Sequence, residues 1–599
     1  MTMFDQHPNP MLHDPLNYSR RRTTSVSIGS VPLGSSYPLR IQTMANVSTL
    51  DVTAGIAQTK RAVEAGADYM RFTAQGVREA SCLQQIRAGL DAEGYTIPLV
   101  ADIHFNPQAA YEALKHVEKV RINPGNFADR RGEWADNPLS DADFALGAER
   151  VQRLFGDFLI EAKKQGRVVR LGINHGSLSE RMLRRYGDTP EGMVESCMEY
   201  LRVARNLDFD NIVISMKSSH VQVMTEAVRL LVDRMEQLGF RYPLHIGVTE
   251  AGEGEDGRIK SAVGIGSLLI DGIGDTLRVS LSEAPEAELP VARLLVRHIE
   301  QRSQSPYLDS WKNCSYQPHM LPRTNSRLVV GCYGATSVPS VFVVGDRVEE
   351  CSVAIKSSDC VVARREALRI EGISPLFIDA QELTPEVARH LASLPQAQLL
   401  ILEASGSNRV GLWRRAISLL ASYHVTMPVV LDAVFSSEET FEEVQIAASV
   451  DLGTLLLEGV GSVVMLEAPH LAATSLRALA LGILQATRLR FSHTEYISCP
   501  GCGRTLYNLE QTIVRIKQAT SHLSNLKIGI MGCIVNGPGE MADADYGYVG
   551  GAPHKIDLYK GQKCIRRGIA EEKAVDALIA LIKEYGDWQD APETFEVNL

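Results

Sequence analysis

Between about Leu39 and Ser303 the chain repeats one pattern eight times: a short apolar run, then a longer amphipathic stretch. The runs are LRIQTM from Leu39, YMRFTA from Tyr69, PLVADI from Pro98, KVRINP from Lys119, VVRLGIN from Val168, NIVISMK from Asn211, LHIGVTE from Leu244 and TLRVSL from Thr276. Between them lie segments such as AGIAQTKRAVEAGA and MVESCMEYLRVARNL, whose apolar residues recur at helical spacing. Short strands alternating with helices form parallel βα units. Eight such units predict a closed (β/α)8 barrel, whose active site gathers at the C-terminal ends of the strands.

The polar residues of these runs fall where that site would be. Arg71, Asp102, Arg121, Asn123, Arg170, Asn174, Lys217, Glu250, Arg278 and Ser280 all lie within or just after the predicted strands. The barrel would therefore bring Arg71, Arg121, Arg170, Lys217 and Arg278 to one mouth. Taken singly, each Arg reads as a rim salt bridge. Together, with few matching acids, they call for an anion, and a diphosphate offers the oxygens that guanidinium groups bind best. Each charged hydrogen bond contributes about 1.5–3 kcal/mol. Glu250, in VTEAGEG, is the candidate acid–base group, with pairing to an arginine as its ordinary alternative. Asp102, in ADIHF, is placed to orient a substrate hydroxyl or an Arg. His104 and His175 have no acidic or Cys neighbours at metal spacing and read as packing or supporting residues.

A second constellation lies near the C-terminal end: Cys499-Pro500-Gly501-Cys502, then Cys533 opening CIVNGPGE, then Glu540. Leu526 to Ile530 reads as a strand, and Gly537, Pro538 and Gly539 as a tight turn that swings Glu540 toward the cysteines. Three thiolates suit zinc or an iron–sulfur cluster, and unliganded buried thiols are a third reading. The spacing prefers iron–sulfur, because no second C-x2-C exists and Cys564 sits in a basic stretch, KCIRR. A carboxylate is a weak, replaceable ligand for a soft cluster, which points to an iron open to substrate.

Composition narrows the setting. In 599 residues the hydrophobic share is 45% and the formal net charge is -11, which argues against nucleic-acid binding. Ten cysteines in so long a chain are not a disulfide framework and fit a reducing compartment. The first residues lack the apolar core of a signal peptide, and no apolar run is long enough to span a bilayer, so cytoplasm is expected.

From about Gln304 to Arg488 the pattern changes. The runs RLVVGCYG, LFIDA, LLILEA, MPVVLDA and DLGTLLLEG, separated by segments such as TPEVARHLASL, predict a second barrel-like or open α/β domain. This stretch lacks the first barrel's ring of cations. Its Cys332, Cys351 and Cys360 have no ligand spacing and read as small buried apolar residues. It is expected to be structural. The expected domains are thus a tail over 1–24, a TIM-barrel substrate domain over 25–303, an insert over 304–488 and an α+β cluster domain over 489–599. Within the last, the basic run Lys555 to Arg567 faces phosphate, an acidic electron donor, or solvent.

The joint occurrence of LRIQTM, ADIHFNP, VRINPGN, GINHGSLSER, VTEAGEG, DGIGDTLRVSL, CPGCGR and CIVNGPGEMADADYG resembles the 4-hydroxy-3-methylbut-2-en-1-yl diphosphate synthase family of the methylerythritol phosphate route to isoprenoids. The resemblance covers roughly residues 25–300 and 490–590, and the insert is similar to that of the family's longer, three-domain members. It implies a [4Fe–4S] cluster on Cys499, Cys502, Cys533 and Glu540. It implies a cyclic-diphosphate site of Arg71, Asp102, Arg121, Asn123, Arg170, Asn174, Lys217, Thr249, Arg278, Ser280 and Asn536, with Glu250 as proton donor. It further implies ferredoxin or flavodoxin as electron donor and is compatible with a homodimer; the oligomeric state, and capping of the barrel within or between chains, are left open. The residues alone also admit a non-redox barrel enzyme of a phosphate substrate with a structural metal, and a non-catalytic iron–sulfur scaffold.

Overall fold

The structure is a computed structural model that describes residues 14–129, 139–309, 338–344, 375–395, 398–461, 463–534 and 537–591, and the backbone of 360–362. It divides into two compact units, each discontinuous in sequence. One comprises residues 21–261, 273–293 and the described part of 493–599. The other comprises 14–20, 262–272 and the described part of 294–492.

The first unit opens with a hairpin, β1 (Val26–Ile28) and β2 (Val31–Leu33). The expected barrel follows: β3 (Arg40–Met44), β4 (Tyr69–Thr73), β5 (Leu99–Asp102), β6 (Lys119–Ile122), β7 (Val168–Asn174), β8 (Ile212–Lys217), β9 (His245–Ile246) and β10 (Thr276–Leu277). All pairings are parallel, in the order β8-β7-β6-β5-β4-β3-β10-β9, and a bridge from Ile214 to Leu244 joins the two ends. The helices start where the sequence supplies caps. Ser140 and Asp143 form a capping box for Asp141–Lys164, and Thr189 caps Pro190–Asn206 with Pro at its first position.

Two features of the barrel position the site. Its N-terminal end is plugged: Val26, Ile28 and Leu33 of the hairpin pack on Tyr69, Val100, Val168 and Val213. Burying each such side chain contributes about 1.5–3 kcal/mol. At the other end the register sets Asp102, Arg121 and Arg170 side by side on β5, β6 and β7, and Asn174 beside Lys217. The strands β9 and β10 stop at Ile246 and Leu277, so Glu250, Arg278 and Ser280 stand in the loops just beyond them. Glu250 has a left-handed backbone, φ 48°, a conformation that costs a non-glycine residue about 1–3 kcal/mol and clusters at functional sites.

In the second unit the described strands are β11 (Ser340–Val344), β12 (Cys360–Val362), β13 (Leu376–Asp379), β14 (Leu400–Ala404), β15 (Val429–Val434) and β16 (Val463–Glu467). Their order is β12-β11-β16-β15-β14-β13, all parallel. The last strand pairs with the first, as in a closing ring, and the described ring is open between β12 and β13. One expectation fails here. DLGTLLLEG does not form a strand: Asp451–Leu457 belongs to the helix Phe441–Leu457, started by a Thr440–Glu443 capping box. A continuous apolar run suits a fully buried helix as well as a buried strand, and this helix is buried on nearly every side. RLVVGCYG, Cys332, Cys351 and the Cys360 side chain lie outside the described residues. Buried ion pairs tie the unit together. Arg414 reaches Glu458 and Asp271, and Arg409 reaches Asp451, which also takes His298.

The closing part of the first unit is a mixed sheet in sequential order: β17 (Glu495–Ser498), β18 (Lys527–Met531), β19 (Tyr546–Ala552), β20 (Lys555–Lys560) and β21 (Lys563–Ala570). The first three are parallel and the last three antiparallel. The helices Leu509–Thr520 and Glu571–Glu584 cover it, with Ile513, Ile516, Leu578 and Leu581 in the core. Among the described residues no helix is long and apolar enough to cross a membrane.

Candidate active site

One cavity joins the barrel mouth to the closing sheet. The barrel supplies Arg71, Asp102, Arg121, Arg170, Asn174, Lys217, Thr249, Glu250, Arg278 and Ser280, and the closing part supplies Cys499, Cys502, Cys533 and Glu540. All belong to the same chain and the same compact unit.

The cations differ in what holds them. Arg278 makes a two-pronged ion pair with Glu288 (Nη2–Oε1 2.8 Å, Nε–Oε2 3.1 Å), which also accepts from Thr43. Arg121 donates to Asp102 at 3.0 Å, to the Gly172 carbonyl at 2.9 Å and to Asn174 at 2.7 Å, and meets His104. These two arginines have the ordinary salt-bridge partner. Arg71, Arg170 and Lys217 have no carboxylate at ion-pair distance among the described residues. Arg71 lies on the Met44 sulfur, and Nε and Nη1 of Arg170 are buried without a partner. Burial, then neighbouring cations, lower Arg71 to about 10 and hold Arg170 and Lys217 well below their ordinary values. Asp102 is opposed by burial, but Arg71 and Arg121 outweigh it and hold the carboxyl well below the usual range. A site so built holds more cations than carboxylates, and two or more anionic oxygens would redress the balance.

The closing part meets the barrel through close backbone contact and a few polar links. A Cβ on Gly176, after β7, would overlap the Gly539 carbonyl, and one on Gly539 would overlap that of Gly176. Ser282 donates to the Cys499 carbonyl at 2.9 Å and Ser219 to the Glu540 carbonyl at 3.3 Å. Lys260 pairs with Glu495 at 3.2 Å, and His493 with Asp256 at 3.0 Å. Gly537–Glu540 forms one helical turn that buries Glu540 in the cavity, where Asn174 donates to its Oε1. Burial, then Glu250 through charge and a shared hydrogen bond, raise Glu540 well above the usual carboxylate range. Burial pushes the Cys499 thiol up to about 12. Gly532 N–H and Arg504 Nε donate to the sulfurs of Cys499 and Cys502 at 3.2 and 3.3 Å. Among the described residues no three His, Cys, Asp or Glu side chains converge on a single ion.

The family descriptions "GcpE TIM-barrel domain" and "GcpE protein C-terminal domain" match residues 23–293 and 495–584. A Porphyromonas gingivalis protein named 4-hydroxy-3-methylbut-2-en-1-yl diphosphate synthase (flavodoxin) is 53% identical, over 96% of this chain and 100% of its own. The chain belongs to the 4-hydroxy-3-methylbut-2-en-1-yl diphosphate synthase family. The synthase of Protochlamydia amoebophila, also named for flavodoxin, is 41% identical over 96% of this chain and 97% of its own. The chloroplastic synthase of Oryza sativa subsp. japonica, named for ferredoxin, is 39% identical over 96% of this chain and 88% of its own.

Of the described residues expected at the site of this synthase fold, one is not in the cavity lining. Asn123 is buried and caps the helix Pro124–Phe127, accepting from Gly125 N–H at 3.1 Å. Asn536 lies outside the described residues. Conversely, Met44, His104, Arg504 and Thr505 line the cavity without having been expected there. Arg504 carried a signal, as the basic residue two positions after the second cysteine of CPGCGR. His175 stays outside the lining, near Asp188.

Proposed function

We propose that this chain opens the ring of 2-C-methyl-D-erythritol 2,4-cyclodiphosphate with two electrons, giving (E)-4-hydroxy-3-methylbut-2-enyl diphosphate and water. The observation that carries this reading is the single cavity shared by three cysteines and a ring of under-neutralised cations. The close match to named synthases along nearly the whole chain supports it. The donor set suits a [4Fe–4S] cluster on Cys499, Cys502, Cys533 and Glu540. Two of the sulfurs already accept N–H donors, as cluster thiolates do. Such a cluster, when bound, supplies electrons one at a time and an iron that acts as a Lewis acid.

The protein groups then divide the work. Arg71, Arg170 and Lys217 bind the diphosphate and neutralise charge that grows on it as the C–O bond breaks. Arg121, held by Asp102 and Asn174, orients the same end of the substrate. Thr249, Arg278 and Ser280 line the opposite side. Glu250 delivers a proton from its carboxyl to the departing hydroxyl. The contact of the Gly176 and Gly539 backbones narrows access for water.

The buried ion pairs of the second unit support a structural insert. A homodimer is the expected assembly. Flavodoxin or ferredoxin is the donor class, and the cytoplasm the expected compartment. The test is iron and sulfide analysis with anaerobic paramagnetic resonance of the reduced protein, before and after the cyclic diphosphate. About four irons per chain, as the cluster type requires, and a signal altered by substrate are expected. No iron, or a signal indifferent to substrate, sinks the reductive reading.

A further inference from the structure

Arg504 stands between the two halves of the site. It follows Cys502 by two residues, and Gly503 fixes its direction. A Cβ on Gly503 would come within 2.9 Å of the Val47 carbonyl and 3.1 Å of Ser48, so this loop lies flat against the barrel rim. The Arg504 side chain, 10% exposed, therefore points into the cavity. Its Nε donates to the Cys502 sulfur at 3.3 Å. Its Nη2 lies 3.9 Å from Oδ2 of Asp102, whose Oδ1 takes Arg121 at 3.0 Å. One guanidinium thus spans a thiol of the closing part and a carboxylate of the barrel.

We infer that Arg504 is a positioning residue: held by Asp102, it directs a charged hydrogen bond at the Cys502 sulfur and raises the reduction potential of the cluster bound there. The inference rests on the proposed cluster site. A donor on a ligating thiolate disperses the negative charge that an added electron increases, so it favours the reduced form. A formal positive charge in a site sheltered from water strengthens the effect. The task needs arginine. The guanidinium serves sulfur and carboxylate in two directions at once, whereas a lysine ammonium is a single point. Asp102 also sits among the cations proposed to bind diphosphate, so it joins the electron-accepting and anion-binding halves through one side chain.

The test compares wild type, Arg504→Lys and Arg504→Met after anaerobic cluster loading, reading iron per chain, reduction potential by spectroelectrochemical titration, and kcat and KM. Expected is unchanged iron, a potential shifted negative in Arg504→Met and less so in Arg504→Lys, and a loss in kcat larger than the rise in KM. An unshifted potential with a raised KM overturns the inference and leaves Arg504 an anion ligand. Loss of iron in both variants overturns it too, because Arg504 would then hold the loop together. Absence of iron from the wild-type chain fails the cluster reading itself and is seen before any variant is made.

Discussion

The side-chain amide of Asn174, at the end of β7, donates to Oε1 of Glu540, which lies 366 residues later in the chain. Its oxygen meanwhile accepts from Arg121 at 2.7 Å. Asn174 thus ties the one carboxylate among the proposed cluster ligands to Arg121, one of the arginines proposed to bind the anion. Asn174→Leu would leave Nη2 of Arg121 with only the Gly172 carbonyl and strip Glu540 of its donor. Unsatisfied buried partners cost about 1–3 kcal/mol. Urea titration of the substrate-free protein is expected to show a loss of that order, accompanied by reduced turnover.

Arg170 has the opposite balance. It is buried with two nitrogens unpartnered, so it costs stability until an anion arrives. Arg170→Met is expected to raise the midpoint of thermal unfolding without substrate. The same change removes a charged contact of about 1.5–3 kcal/mol, so substrate should bind about tenfold to a hundredfold more weakly. Calorimetric titration and melting curves on one sample check both signs, and a fall in both stability and affinity would contradict this account.

Lys217 gives a pH signature. It faces Arg71, Arg170, Arg278 and Glu250, and burial with those arginines holds its folded pKa well below the ordinary value. Between that depressed value and the unfolded value near 10.4, the unfolded chain binds the extra proton. Stability contributed by this group therefore rises with pH in that window. Lys217→Met should stabilise the substrate-free protein near neutral pH, with a gain that fades toward about pH 10.4. Asp102 behaves conversely. Its depressed carboxyl adds stability above the unfolded value near 3.9, and that stability is lost as pH falls below it. Chemical denaturation across pH measures each slope.

Gly176 is the most stringent backbone position at the seam. It has φ 75°, and a Cβ would collide with the Gly539 carbonyl. Gly176→Ala removes none of the three cysteines but presses on Gly539, beside the proposed ligand Glu540, so iron content is expected to fall below wild type. Turnover should fall by at least about tenfold, since a displacement near 1 Å in a catalytic constellation costs up to about a hundredfold. Limited proteolysis should cut the closing part sooner than in wild type.

The barrel was legible because eight apolar runs carry their own period and their charged residues sit at the ends where such strands present a site. Glu288 was not. In the helix Pro285–Ser303 it reads as an ordinary first-turn acid, and only the approach of Arg278 buries it. Asn123 sits at a strand end like its neighbours, but local hydrogen bonding turns it to cap a helix. Arg504 acquires its meaning only when Asp102, some four hundred residues earlier, comes within reach. Asp451–Leu457 misled as a strand because burial on all sides erases the helical period.

The unit that houses the site is interrupted: the chain leaves it at Arg293 and returns at His493. During synthesis at about 5–20 residues per second, that interval lasts roughly 10–40 s. A barrel that folds as it is made would stand for that time as a solvated, lidless cup, before any of Cys499, Cys502 and Cys533 has been made. The thiols arrive last, onto a surface already charged to receive anions. Loading of the proposed cluster would then be a late event, timed by translation of the intervening domain, and a slower ribosome would lengthen the period in which the cup stands open to any cellular diphosphate.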